Sequence, residues 1–188
     1  MPADGAFGIF RRLEGVAALE FALVLPILCT MVFALFEIAQ GVICYYKVVD
    51  AANSIADLIG QTPLQGGVGN TDFDNFYLAG EAIMSPRADT GFELAMASVT
   101  FDNNGLNPTV AWQVQRGGAA AMTDLTAASA SLGSPNGSVI AVRASYSYRS
   151  PLDYFVTAPI TLSQEVFAVP RALNKVPCPP PGSRQICN

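Results

Sequence analysis

A long apolar run near the N-terminus constrains this chain more than any other feature. The run covers residues 16–46, and between residues 21 and 36 only Thr30 is even weakly polar. Crossing a bilayer takes about 20 predominantly apolar residues, whereas a cleaved secretory signal has an apolar core of about 7–15. A helix that packs on the core of a small soluble domain would also carry a polar face. The run therefore predicts a transmembrane helix.

The flanking charges predict the orientation of this helix. Arg11 and Arg12 precede the run, and Lys47 is a lone cation beyond it. Positive residues stay preferentially on the cytoplasmic side, so the N-terminus is expected in the cytoplasm and the C-terminal domain outside. The Leu, Ile, Val and Phe residues of 21–36 together favour insertion by roughly 3–6 kcal/mol.

Two acids and a proline interrupt the apolar pattern. An acidic side chain in such a segment is costly enough to require an explanation. Glu20 lies five residues after Gly15, near the inner end of the run, and Glu37 lies near the outer end. For Glu37 three interpretations stay open, namely pairing with a cation of another chain, protonation, or reaching the outer interface. Pro26 removes one helical hydrogen bond and predicts a kink, which membrane helices tolerate when neighbours satisfy the freed groups.

The residues from Gly15 to Glu20, with the sequence GVAALE, resemble the processing site of type IV prepilins. In that family a membrane peptidase cuts after the glycine, and the glutamate becomes the fifth residue of the mature chain. The following EFALVLPIL and the pair Phe36-Glu37 resemble the N-terminal segment of TadE-like proteins, the pseudopilins of tight-adherence (Flp) pili. The resemblance covers residues 15 to about 40. TadF- and TadG-like proteins share this pattern, although the chain length fits the TadE type better.

The resemblance implies roles for several residues. Gly15 and Val16 would flank the cleaved bond, and Glu20 would pair with the N-terminal amine of a neighbouring subunit. The alternative for Glu20 is a carboxylate at headgroup depth. Phe21, Pro26 and Glu37 would pack against partner helices. The implied partners are the prepilin peptidase, the major Flp-type pilin, other pseudopilins, the Tad assembly platform and the lipid bilayer.

Beyond the bilayer, residues 47–59 form an amphipathic pattern that continues the helix. The predicted apolar stripe consists of Val48, Ala51, Ala52, Ile55, Leu58 and Ile59. A continuous helix over about 13–59 would be roughly 70 Å long, which exceeds any bilayer. Its outer part must therefore pack against the domain that follows.

The rest of the chain predicts a small mixed domain. A helix is expected from a cap at Thr71 or Asp72 to Met84, and a short helix over 124–132. Alternating patterns predict strands over 92–101, 109–115, 138–149 and 160–169, with a hairpin turn at Asp102-Asn103-Asn104-Gly105. The expected fold is α+β: a long N-terminal transmembrane helix continuing into a small periplasmic domain with a roughly four-stranded antiparallel sheet and short helices.

The predicted organisation has five parts: a prepilin-type leader (1–15), the transmembrane helix with its amphipathic extension (16–60), a Gly-rich linker (61–71), the α+β periplasmic domain (72–172) and a Pro-rich tail (173–188). In the tail, Cys178 and Cys187 bracket a Pro-Gly turn. Their spacing fits no zinc pattern and favours a disulfide, which agrees with a periplasmic location. Cys29 and Cys44 are expected as core or lipid-facing residues.

Composition narrows the possible functions. The net charge is −5 and no basic stripe is present, so nucleic acid is not an expected partner. Histidine is absent, and no nucleophile, metal or phosphate-binding motif occurs, so neither enzymatic activity nor a cofactor is expected. The resemblance implies a single-pass inner-membrane pseudopilin required for assembly of a Flp-type pilus. The alternative is a membrane-anchored periplasmic binding or sensor domain with no pilus role.

Overall fold

The computed structural model describes residues 5–61, 68–86, 91–171, 175–176 and 186–187, with side chains described from residue 15 onward and not for 186–187. Its elements are α1 (Gly5–Gln61), α2 (Asn70–Met84), β1 (Phe92–Thr100), β2 (Thr109–Arg116), α3 (Leu125–Ser129) with a 3-10 turn (Ala130–Leu132), β3 (Ser138–Tyr148), β4 (Ile160–Ala168) and β5 (Ile186–Cys187). The predicted α+β fold is confirmed.

Helix α1 is one uninterrupted element of 57 residues. At 1.5 Å per residue it is about 85 Å long. Its part from Gly15 to Gln61 includes an 18-residue window with a mean hydropathy of 2.4, of which only 6% is buried. Length and composition thus allow this helix to cross a membrane.

The outer part of α1 packs against the sheet and α2, as its amphipathic pattern predicts. The buried stripe consists of Cys44, Val48, Ala51, Ala52, Ile55, Ala56 and Ile59. The prediction that Leu58 belongs to this stripe is wrong, because Leu58 is exposed and Ala56 is buried instead. Leu58 and Ala56 lie on opposite edges of the buried stripe. Val169 and Pro170, in the segment after β4, lie beside the edge that contains Ala56.

Helix α2 begins differently from the prediction. Its N-cap is Gly69, not Thr71 or Asp72. The Asp72 carboxylate acts from the third helical position, where it accepts the Gly69 N–H at 2.8 Å while the Asp72 N–H donates to the Gly69 carbonyl at 3.1 Å. This is the backward half of a capping box, and it needs no side chain at the cap itself.

The four long strands form an antiparallel sheet in the order β4-β3-β1-β2, and the two-residue β5 adds to the β2 edge. Alternate residues of β3 face α1 and join the main core, as predicted: Ile140, Val142, Ala144, Tyr146 and Tyr148. The other sheet face holds a smaller cluster, in which Phe101, Met122 and Leu125 cover Ala97 and Val139. Tyr148, at the end of β3, lies beside Gly41 of α1. The β3–β4 connection therefore leaves the sheet at the end nearest the apolar part of α1.

Gly80 marks the closest approach of α2 to its neighbours. A Cβ added there would lie 2.7 Å from ring carbons of Phe92 and 3.0 Å from Ile55 Cδ1. Alanine gains about 1 kcal/mol in helix propensity, but overpacking a core costs about 1–3 kcal/mol. We expect Gly80→Ala to lower the free energy of unfolding by about 1 kcal/mol, measured by pulse proteolysis in urea on the full chain. Gly41→Ala is the control, since its Cβ meets only a Tyr148 ring carbon at 3.7 Å. A stabilised Gly80→Ala protein would refute the close packing.

The β1–β2 turn is organised by Asp102. One carboxylate oxygen accepts the Leu106 N–H at 2.8 Å and the Asn104 N–H at 2.9 Å, and the other accepts the Asn107 side-chain amide at 2.8 Å. The Leu106 backbone bond, followed by the Asn107 amide, holds the pKa of Asp102 below its ordinary value. Hydrogen bonds to the charged form have this effect.

The lowered pKa of Asp102 in the folded state determines how the stability of the β1–β2 turn changes with pH. The stabilisation by Asp102 is fully present above the ordinary pKa of an aspartate and is lost as the pH falls through the lower, folded-state value. We therefore expect the protection factor of the Leu106 amide, measured by hydrogen exchange, to fall on acidification through this window. In Asp102→Asn this acid-dependent fall should disappear. An equal fall in both proteins would show that other groups open the turn.

Candidate functional site

The inner part of α1 presents an exposed apolar surface. From Gly15 to Phe36 every side chain is exposed except that of Ala34, which is half-buried. Val16 and Phe21 are among the exposed large residues. A Cβ added at Gly15 would meet nothing within 4 Å in the described part of the chain. The bond between Gly15 and Val16 thus lies in an uncovered stretch of helix.

Glu20 and Pro26 lie on this exposed stretch. Among the side chains described from residue 15 onward, none forms a hydrogen bond or ion pair with Glu20. The predicted pairing of Glu20 with an amine of another subunit stays a prediction. Helix α1 continues through Pro26, and the Thr30 hydroxyl donates to the Pro26 carbonyl at 2.7 Å. The N–H that Pro26 lacks would have donated to the Ala22 carbonyl, so the Thr30 bond adds a second donor to the Pro26 carbonyl and does not replace the missing one.

Glu37 has a partner that none of its three interpretations included. Its carboxylate accepts three successive backbone N–H groups of the β3–β4 loop (residues 149–159): Tyr154 at 2.9 Å to Oε1, and Phe155 and Val156 at 3.0 and 3.1 Å to Oε2. The side chain is only 1% exposed. A carboxylate satisfied by several backbone donors needs no cation. We call this arrangement of Glu37 and the three N–H groups the clasp.

The geometry of the loop explains how three neighbouring N–H groups reach one carboxylate. Asp153 has a φ of 52°, in the left-handed region. This turns the chain immediately before Tyr154, so that the next N–H groups face α1. Aspartate adopts this conformation more readily than most residues, which is the one local signal of the clasp in the sequence. The sequence contains no indication that Glu37 is the acceptor.

The cysteine predictions have different outcomes. Cys44 is buried in the main core and Cys29 is exposed on the apolar part of α1. Cys178 lies outside the described residues, and only the backbone of Cys187 is described, in β5 opposite Trp112. The disulfide between Cys178 and Cys187 therefore stays a prediction. Within the described ranges, no group of three or more Cys, Asp or Glu side chains is placed to hold a metal ion.

Comparison with known proteins gives one match. The family described as TadE-like protein matches residues 15–57, which is α1 from the predicted cleavage site to the buried outer stripe. Comparisons with curated proteins and with solved structures give no match. The matched segment contains Gly15, Glu20, Pro26 and Glu37, the same residues that carry the resemblance in the sequence. Residues 15–57 of this chain are therefore similar to the TadE-like proteins, whose family description points to an association with the Tad pilus.

Proposed function

We propose that this chain is a pseudopilin that takes part in assembling a Tad (Flp-type) pilus. Helix α1 would cross the inner membrane with its N-terminus in the cytoplasm, and the sheet domain would lie in the periplasm. The observation that supports the proposal is the overlap of two segments of α1. The residues matched by the TadE-like family include the stretch of α1 that the rest of the described chain leaves exposed.

The chemistry at the N-terminus would belong to another enzyme. A prepilin peptidase would hydrolyse the bond between Gly15 and Val16, leaving a carboxylate on the leader and an ammonium on Val16. Glu20 lies four residues after Val16, on the same helix face and about 6 Å along the axis. An ammonium within about 4 Å stabilises an ionised carboxylate. Glu20 is thus placed to pair with a new amine of its own or a neighbouring chain.

The exposed helix surface would mediate association with pilins and the assembly platform. Small residues allow helices in a membrane to approach closely. Ala17, Ala18 and Ala22 are exposed next to the large side chains of Val16 and Phe21. Packing of this mixed surface against other helices requires no catalytic group in this chain.

Pilus assembly in the host bacterium tests the proposal. We expect deletion of the gene to abolish Flp-type pili in electron micrographs and in sheared fractions, and the wild-type gene to restore them. Gly15→Val should fail to restore them, because the bulky side chain blocks cleavage. Gly8→Val is the matched control within the predicted leader and should restore pili. Normal pili in the deletion strain would refute the pilus role and leave an anchored binding or sensor domain.

A further inference from the structure

The β3–β4 loop carries three large apolar side chains that the rest of the described chain leaves uncovered. Leu152 is 43% exposed, Tyr154 is 69% exposed and Phe155 is 48% exposed. The rings of Tyr154 and Phe155 pack edge to face, with centroids 5.0 Å apart. Contiguous exposed apolar side chains, unlike single ones, are candidates for an interaction surface.

The loop tip lies beside the apolar part of α1. Leu152 and Tyr154 line one groove together with four residues of the helix, Pro26, Cys29, Thr30 and Phe33. The tip therefore lies nearer the N-terminus of α1 than Glu37 does. It extends from the sheet domain toward the stretch that is long and apolar enough to cross a membrane.

The position of Glu37 along α1 indicates how deep in the bilayer the tip of the β3–β4 loop lies. A hydrocarbon core about 30 Å thick corresponds to about 20 helical residues. Counted from Val16, these residues end near Leu35, so Glu37 lies at the outer boundary. The groove residues from Pro26 to Phe33 lie about 6–17 Å deeper along the axis, so the side chains of Leu152 and Tyr154 reach into the acyl region. Segments that lie in the membrane interface insert their apolar side chains to about 5–10 Å.

We propose that the tip of the β3–β4 loop inserts into the outer leaflet of the membrane that α1 crosses, and that the clasp holds it there. The occupant of this surface is lipid, at the boundary between headgroups and acyl chains. The inference rests on the membrane anchoring in the proposed function but not on a role in pilus assembly. It gives the sheet domain a second membrane contact, which fixes its tilt and height above the bilayer.

The hydrogen bonding of the loop fits this environment. Irregular backbone exposed to lipid does not occur inside the hydrocarbon region, and at its boundary an N–H group that loses water needs another acceptor. The clasp supplies an acceptor for three successive N–H groups, and in return the carboxylate of Glu37 receives donors. Asp153 is exposed at the turn, and an acidic side chain favours the headgroup side of the loop over its inserted side. Tyrosine, as at position 154, is enriched at this depth.

The loop tip and the apolar part of α1 form one continuous exposed surface, which favours contact of the tip with lipid over contact with water. The exposed side chains of the loop adjoin the exposed apolar side chains of α1, and the two elements share one groove. If acyl chains surround α1 at the level of Phe33, the loop tip at the same level contacts acyl chains too. The rival occupant is a protein helix, which in vesicles that hold only this chain would be a second copy, and that helix would shield position 154 from the bromine.

Quenching of tryptophan fluorescence by brominated lipid tests the insertion. The full chain with Tyr154→Trp is reconstituted in phosphatidylcholine vesicles brominated at the upper acyl carbons. The native Trp112 is fully buried in the domain core and serves as a constant background. We expect the new tryptophan to lose most of its emission relative to vesicles without bromine. Adding Glu37→Gln, which removes one acceptor oxygen of the clasp, should restore part of that emission.

Two further variants make the result decisive. Leu106→Trp lies in the exposed β1–β2 turn at the opposite end of the sheet and should not be quenched. Ile27→Trp lies on the exposed part of α1 and should be quenched if the helix is in the membrane. Quenching at 27 without quenching at 154 would overturn the loop insertion and leave the anchor intact. Equal quenching at 154 and 106 would also overturn it, and no quenching at 27 would refute the anchoring itself. Protease resistance of the domain confirms folding in each sample.

Discussion

Replacing Glu37 with alanine releases the β3–β4 loop from α1. The substitution leaves the N–H groups of Tyr154, Phe155 and Val156 without their acceptor, 117–119 residues away in sequence. These part-buried donors lose their hydrogen bonds to a carboxylate, so the released loop opens more often. We expect hydrogen exchange of these three amides to accelerate roughly 10- to 100-fold. The measurement is hydrogen-exchange mass spectrometry on the full chain in lipid nanodiscs.

The specificity of this effect is tested on a nearby residue. Leu35 lies two residues before Glu37 on α1 and is exposed. Leu35→Ala should therefore leave exchange in the loop unchanged, and exchange in β1 and β3 should be unchanged in both variants. If the loop amides of Glu37→Ala exchanged no faster than those of the wild type, the clasp would not be what orders the loop.

Replacing Trp112 with alanine is expected to cause the largest loss of stability in the sheet domain. Trp112 is fully buried, its ring packs edge to face on Phe73 with centroids 5.1 Å apart, and its Nε1–H donates to the Val176 carbonyl at 3.2 Å. Removing a buried Trp side chain costs about 3–5 kcal/mol. We expect Trp112→Ala to lower the free energy of unfolding by this amount, measured by pulse proteolysis in urea.

Trp112→Phe separates the packing from the hydrogen bond. Phenylalanine keeps an aromatic ring against Phe73 but leaves the Val176 carbonyl without the indole N–H, at a cost of about 1–3 kcal/mol. The order of stability should therefore be wild type, then phenylalanine, then alanine. A Trp112→Ala protein within about 1 kcal/mol of the wild type would mean that the ring is not part of the core.

The elements with strong hydrophobic periodicity were predictable from the sequence. The alternation in β3 identifies Ile140, Val142 and Tyr146 as one face, because side chains of a strand point alternately to opposite sides. The apolar run and the stripe that follows it identify α1 as a single long helix for the same kind of reason. In β3 and in the outer part of α1 one face is buried, and burial of that face requires the apolar residues that form the pattern.

The features that were missed depend on contacts between distant residues or on backbone groups. Glu37 binds backbone N–H groups, which any sequence provides, so no residue type in 154–156 indicates the clasp. The cap of α2 uses the backbone of Gly69, and the polar side chains nearby suggested the wrong position. Whether Leu58 or Ala56 is buried depends on which edge of α1 the chain after β4 covers, and helical periodicity allows either.

The intact mass of the chain extracted from the membranes of its host bacterium tests the central claim most directly. The claim is that this chain functions as a processed pseudopilin. The predicted result is a mature protein that begins at Val16 and lacks residues 1–15, together with an unprocessed mass for Gly15→Val. A wild-type protein that retains Met1 in the presence of an active prepilin peptidase would contradict the claim.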